Sequence, residues 1–265
     1  NVWHAATGTQ LSQGQVDTIT EMTSQVGQSQ TVNGTTVTVD SLVLGDNSVR
    51  LLLVVEAAGV DLDASLKYGF EAIDVSVTPE PSDGAPGVAG YGVESYTVDK
   101  TENKVNLVVN YNMTLPRDDD LNGKHIVLRL KNFGTGTHSE FKVLTSGEWD
   151  FDIPLQRAGE MKTLLLGDAE VMGYNVETDT QSAVELHDIR INATGISYEY
   201  DAQKVSYSFQ ITAVLKDGTR VAVSTGAGHI SADMTTWNDS FQWLVPIDVD
   251  ELKSILVYDT EIPIG

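Results

Sequence analysis

Thr35-Thr36-Val37-Thr38-Val39-Asp40-Ser41-Leu42-Val43-Leu44 is the stretch that decides the fold class. Apolar residues recur at every second position, Val37 and Val39 first and Leu42 and Leu44 after a one-residue slip. That period belongs to a strand with one buried face. Asn33-Gly34 stands immediately before it, and both residues tolerate the positive φ that a two-residue hairpin turn demands. After Gly45-Asp46-Asn47 a near-continuous apolar strand follows over 50–56. Working outward, strands are expected over 72–78, 91–98, 105–112, 125–131 and 141–153. A second series is expected after Pro154, over 163–166, 183–192, 196–200, 204–215, 220–224, 241–245 and 254–258. Helix is scarce. One amphipathic helix is expected over 11–26 through Leu11, Val16, Ile19, Met22 and Val26, and a helical turn over 249–253 after Asp248.

The expected fold is all-β: two tandem immunoglobulin-like β-sandwich domains with a short N-terminal helix. The segments are 1–27 (helix or stalk), 28–157 (first sandwich) and 158–265 (second sandwich). Trp149 and Trp243 sit in matching contexts, each on a Ser-started strand that exits at a proline. Two related sandwiches with one buried Trp apiece would explain that echo.

The 265 residues carry 38 acids, 16 bases and no cysteine, for a net charge of −22. Such a surface repels nucleic acid and anionic lipid, because neutralising phosphates needs clustered Lys and Arg. The missing cysteines remove disulfides, thiolate catalysis and Cys-type metal sites. Residues 1–157 hold 21 acids and 10 bases, and residues 158–265 hold 17 and 6. The acidity is therefore diffuse, a solvated surface that favours a monomer. No apolar stretch approaches the about 18 residues of a spanning helix.

Asp118-Asp119-Asp120-Leu121-Asn122-Gly123 places Asp118, Asp120 and Asn122 at alternate ligand positions of a calcium loop. The twelfth position holds Arg129 where such a loop needs a bidentate Glu, so an acidic turn is the competing reading. Calcium is thus the one cofactor to consider. Ser139-Glu-Phe-Lys142 imitates a Ser-x-x-Lys nucleophile pair, but i and i+3 on a strand point to opposite faces. His4, His125, His138, His187 and His229 show no local metal-ligand spacing, and His187-Asp188 would need a partner brought in by the fold. The glycines of 84–92 and of Thr225-Gly-Ala-Gly228 read as flexible connections between strands. Tyr91, Tyr96, Tyr174 and Trp237 are the aromatic residues best placed for partner contact.

Several stretches together resemble a known family: Gly27-Gln-Ser-Gln-Thr-Val-Asn-Gly-Thr-Thr-Val-Thr-Val-Asp-Ser-Leu, residues 48–56, Tyr68-Gly-Phe-Glu and Val75-Ser-Val-Thr-Pro-Glu-Pro. In the second half so do residues 185–200 and 243–247. The family is an extracytoplasmic immunoglobulin-like domain of unknown function, found in membrane-anchored proteins of Gram-positive bacteria, some described as anti-sigma factors. The resemblance implies a membrane span upstream of Asn1, an extracytoplasmic cell-envelope ectodomain and no catalytic residues. On that basis the expected function is non-catalytic sensing or protein interaction, with an unknown protein or glycan of the envelope as partner. A secreted or surface carbohydrate-binding or adhesive module is the alternative. An acidic envelope hydrolase is a third reading.

Overall fold

The computed structural model describes residues 11–79, 89–115, 119–136, 140–202, 206–231 and 233–264. The chain is all-β and sandwich-like, with 65% strand and 6% helix. It divides into two compact units. The first is Asn1–Glu80, Tyr91–Tyr111 and Leu121–Gly159; the second is Pro81–Gly90, Asn112–Asp120 and Glu160–Gly265. The division near residue 159 is therefore not a single cut, because two short segments of the first half cluster with the second unit. No helix among the described residues is long and apolar enough to cross a membrane.

In the first unit one helix, α1 (Gln13–Met22), precedes eight strands: β1 (Thr23–Val32), β2 (Thr35–Leu44), β3 (Ser48–Ala57), β4 (Tyr68–Thr78), β5 (Ala89–Asp99), β6 (Lys104–Met113), β7 (His125–Thr135) and β8 (Lys142–Pro154). Ser12 caps α1. Its hydroxyl accepts from the Gln15 amide, and the Gln15 side chain accepts from the Ser12 amide, so two orphan donors are satisfied reciprocally. The expected helix over 11–26 stops at Met22, because Thr23-Ser-Gln-Val-Gly-Gln-Ser-Gln-Thr-Val pairs with β2 instead. Gly27, at φ +66°, sits where that pairing shifts register, a bulge that only a residue tolerant of positive φ accommodates easily. Asn33 and Gly34 take φ of +48° and +81°, as the hairpin reading requires.

Strand order is β1-β2-β3-β6-β5 in one sheet and β4-β7-β8 in the other. β2 slips register between Val39 and Ser41, so Val37, Val39, Leu42 and Leu44 all stay buried. Trp149 is fully buried between the sheets, with its indole donating to the Thr35 carbonyl at 3.2 Å. On the outer face of the five-stranded sheet, Ile19 of α1 packs on Val43, Leu52 and Val108. The helix therefore covers sheet surface and is part of the unit.

The second unit is a ten-stranded antiparallel sheet. Its strands are β9 (Thr163–Leu166), β10 (Ala169–Asn175), β11 (Thr180–Asn192), β12 (Gly195–Asp201), β13 (Tyr207–Ser208), β14 (Ile211–Leu215), β15 (Arg220–Ile230), β16 (Thr236–Trp243), β17 (Leu252–Val257) and β18 (Thr260–Pro263). β15 divides its pairing, with residues 220–222 against β14 and 226–230 against β16. The bulge between Val223 and Gly226 lets the sheet turn and enclose one core, where Tyr198 and Trp243 meet Ile211 and Ile255. Trp243 is fully buried, and its indole donates to the Asn192 carbonyl at 3.0 Å.

Candidate functional site

The two open sides of the first sandwich are treated differently. On one side β1 faces β8, and polar side chains of β1 bond the unpaired backbone of β8. Gln28 donates to the Asp152 carbonyl at 3.0 Å, Gln30 donates to the Asp150 carbonyl, and the Asp150 amide donates back to Gln30 Oε1 at 3.0 Å. Asn33 donates to the Ser146 carbonyl at 2.8 Å. Thr35 and Thr145 share a buried hydroxyl–hydroxyl bond of 2.7 Å. Gly147 permits the approach, since a Cβ there would meet Val32 Cγ1 at 2.7 Å. The amide side chains substitute for a missing strand, so this edge is sealed.

On the other side the sheets end at β4 and β5, and a cleft of ≈ 530 Å³ opens between them. Tyr68, Gly69, Phe70 and Glu71 line it together with Ile73, Val93, Gly136 and Phe141. Successive strand residues point to opposite faces, so a cavity touched by four consecutive residues runs along the strand's edge. Among the described residues β4 pairs only with β7, and its other edge borders this cleft.

The walls are held from behind. Tyr68 stacks on Phe133 at 6.0 Å, Phe70 meets Phe133 and Trp149 edge-on at 5.7 Å each, and the Tyr68 hydroxyl accepts from the Asp63 amide at 2.7 Å. Asn132, at φ +50°, donates to Glu71 at 2.6 Å and accepts from the Gly147 amide at 3.0 Å, which holds the Glu71 carboxylate against β7. Gly134 and Gly136 bring Phe141 to the cleft, because a Cβ at either would lie within 2.3 Å of a carbonyl oxygen of the returning chain.

The aromatic residues singled out from sequence have separate fates. Tyr91 is 51% exposed and shares a face of β5 with Val93, the strand's contribution to the cleft. The side chain of Tyr96 lies outside the described residues. Tyr174 is half-buried on β10, far in sequence from any cleft-lining residue. Trp237 is half-buried and stacks on Tyr200 at 6.4 Å inside the ring cluster of the second unit, where its indole N–H finds no acceptor among the described residues. Of the acidic loop, Asp118 lies outside the described residues. The Asp120 amide donates to Asp119, and Asn122 Oδ1 accepts from the Arg157 amide at 2.9 Å. The Lys124 amide closes a turn onto the Leu121 carbonyl at 3.2 Å, and Gly123, at φ +83°, donates across to the Leu155 carbonyl at 2.8 Å.

Two groupings in the second unit are not visible in the sequence. The β10–β11 hairpin brings Asp168 Oδ1 to 3.1 Å from His187 Nδ1, the partner that His187 lacks locally. Asp188, its sequence neighbour, pairs with Arg190 instead. With Glu185 two positions earlier on β11, three potential ligand atoms lie within 4.8 Å of one another. One imidazole and two carboxylates suit a divalent ion chemically; both carboxylates are exposed and the imidazole is half-buried.

The second grouping surrounds Asp239 of β16, only 9% exposed. It stands opposite Tyr198 on one neighbouring strand and Gly228 on the other. Burial pushes its carboxyl up to about 7, and the Tyr198 hydroxyl partly offsets this. The Tyr198 phenol is raised well above its ordinary value, by its own burial first and by the Asp239 charge second. The hydroxyl lies close enough for that coupling but makes no hydrogen bond of normal geometry. Thr225-Gly-Ala-Gly228 is accordingly not a flexible connection. It lies within β15, and its glycines clear space: a Cβ at Gly228 would sit 2.1 Å from Asp239 Oδ1, and one at Gly226 would strike the Phe241 ring.

Fold and cleft together define an all-β protein of two sandwich-like units, with the outer edge of β4 in the first unit unpaired among the described residues. No protein-family profile matches the chain, and no curated protein matches its sequence. Among solved structures it is similar to a conserved domain protein from Bacillus anthracis, at a TM-score of 0.56 and 12% identity. The match covers 89% of this chain and 77% of that one, a likeness of fold.

Proposed function

We propose that this chain is a non-catalytic recognition module, the extracytoplasmic part of a membrane-anchored regulator of the anti-sigma type, and that it holds a protein partner at the β4–β5 cleft. The observation that carries the reading is the contrast between the two sides of one sandwich. The β1–β8 side is sealed by side-chain amides, whereas the β4–β5 side presents a strand edge beside fixed aromatic rings. Edges left open on a soluble sandwich are aggregation liabilities, so an open, rigid one beside apolar surface is a natural docking place. The resemblance of residues 27–42, 48–56, 68–71 and 185–200 to envelope ectodomains supports the location and the regulatory context. In this reading, occupancy is relayed through the segment leading into α1, which packs on the same five-stranded sheet that ends in β5.

Site-specific photo-crosslinking in the source cells tests it, with the probe at Val93 compared with the probe at Ser29 on the sealed side. A discrete protein adduct from position 93 alone is the expected result. Equal labelling from both positions, or none under any envelope stress, would overturn the proposal. The exposed ring of Tyr91 favours a second reading, a glycan-binding surface, and binding on a glycan array that Tyr91→Ala abolishes would select it.

A further inference from the structure

We infer that the occupant of the cleft is an extended, basic peptide segment that adds to the free edge of β4 as a further strand. The inference rests on the recognition reading above and specifies its ligand. Three observations carry it. The cleft is lined by four consecutive residues of β4, 68–71, on the edge that pairs with no strand among the described residues, so the backbone donors and acceptors of that edge lie within reach of what fills it. Tyr68, Phe70, Val93 and Phe141 supply an apolar floor and wall, matched to alternate apolar side chains of an added strand. Glu71 is the one charged residue among the described residues lining the cleft, in a half-chain holding 21 acids against 10 bases, which favours lysine or arginine at the intervening positions.

Space for the strand is present. A Cβ at Gly69 meets no atom within 4 Å, and the backbone there needs no positive φ. A bulkier residue at 69 therefore leaves the fold intact while intruding on the occupant. That gives a variant whose failure to bind does not follow from failure to fold.

The probe is a fluorescein-labelled heptapeptide, Lys-Val-Lys-Phe-Lys-Val-Lys, with two isomers N-methylated on opposite alternating sets of backbone amides. A strand has two edges, so one isomer loses every donor that faces β4 and the other loses none of them. Anisotropy titration is expected to show saturable binding of the parent peptide and binding within twofold for one isomer. The other isomer should bind at least tenfold more weakly. Gly69→Val and Glu71→Lys should each weaken the parent peptide at least tenfold, with melting curves confirming that both variants fold. Any other isomer pattern, no binding of the parent, or equal binding to both variants through general acidity would overturn the inference. Failure here together with a specific adduct from position 93 would sink strand addition alone. Failure of both would sink the recognition site itself.

Discussion

The two sides of the first sandwich are built from the same materials and reach opposite ends. At the β1–β8 side Gln28, Gln30 and Asn33 bond backbone groups that would otherwise face water or another chain. At the β4–β5 side glycines and anchored aromatics keep a gap open. A few amide side chains suffice to seal an edge in this sequence, so an unsealed edge asks for a functional reason. The second unit adds a third case. Asp239 is a carboxyl held away from water, with no cation among the described residues to offset its burial.

The contrast can be broken in graded steps. Trp149→Ala should cost the most, about 3–5 kcal/mol, because it empties a filled core site and removes the indole's hydrogen bond to the Thr35 carbonyl beside the sealed edge. Urea denaturation measures this, and a loss below about 1 kcal/mol would mean that the sealed side does not depend on its core anchor.

The buried Asp239 makes the next prediction. The folded chain holds this proton more tightly than the unfolded chain, so the stabilisation is complete below about pH 4 and is lost as pH rises toward 7. The span is on the order of 4 kcal/mol, since each tenfold gain in proton affinity is worth about 1.4 kcal/mol. The other carboxylates of so acidic a chain titrate as well, so the informative quantity is the difference between the parent protein and Asp239→Asn. That difference should grow in favour of the variant between pH 4 and 7 and stay constant above. A difference that does not change with pH would show that Asp239 is solvated.

Replacing both Gln28 and Gln30 by alanine should cost about 2 kcal/mol, because three exposed hydrogen bonds each contribute modestly. It should also make the β8 edge available to strand pairing, visible as concentration-dependent association by sedimentation. The smallest effects belong to the open side. Val93→Ser and Gly69→Val should shift unfolding by no more than about 0.5 kcal/mol. A large destabilisation there would mark the cleft as structural and remove the contrast.

The architecture is largely legible in the sequence because its signals are local. Asn33-Gly34 and the alternation over 35–44 specify a hairpin and its faces without help from elsewhere, and the two proline-terminated Trp strands mark both cores. What is not legible is whatever depends on distant partners. Gln28 and Gln30 look like an ordinary polar stretch until β8, about 120 residues away, is laid beside them. For the same reason the start of β1 reads as helix, since Val26 continues a helical period that ends at Met22. The cleft draws on four separated stretches of chain, and only Tyr91 near its wall carries a sequence signal. His187 needs the β10–β11 register to meet Asp168. Thr225-Gly-Ala-Gly228 misleads because glycine signals a loop and a crowded strand equally well, and only the neighbours Asp239 and Phe241 decide which.

Residue-resolved amide hydrogen exchange, with and without the heptapeptide, tests the central claim most directly. The sealed edge should show the Asp150 amide protected in the free chain, held by Gln30. The outward amides of β4 over 68–73 should exchange quickly in the free chain and slow by at least tenfold on binding, with β8 unchanged. Outward β4 amides already as protected as Asp150, or peptide-induced protection appearing elsewhere in the chain, would contradict the account.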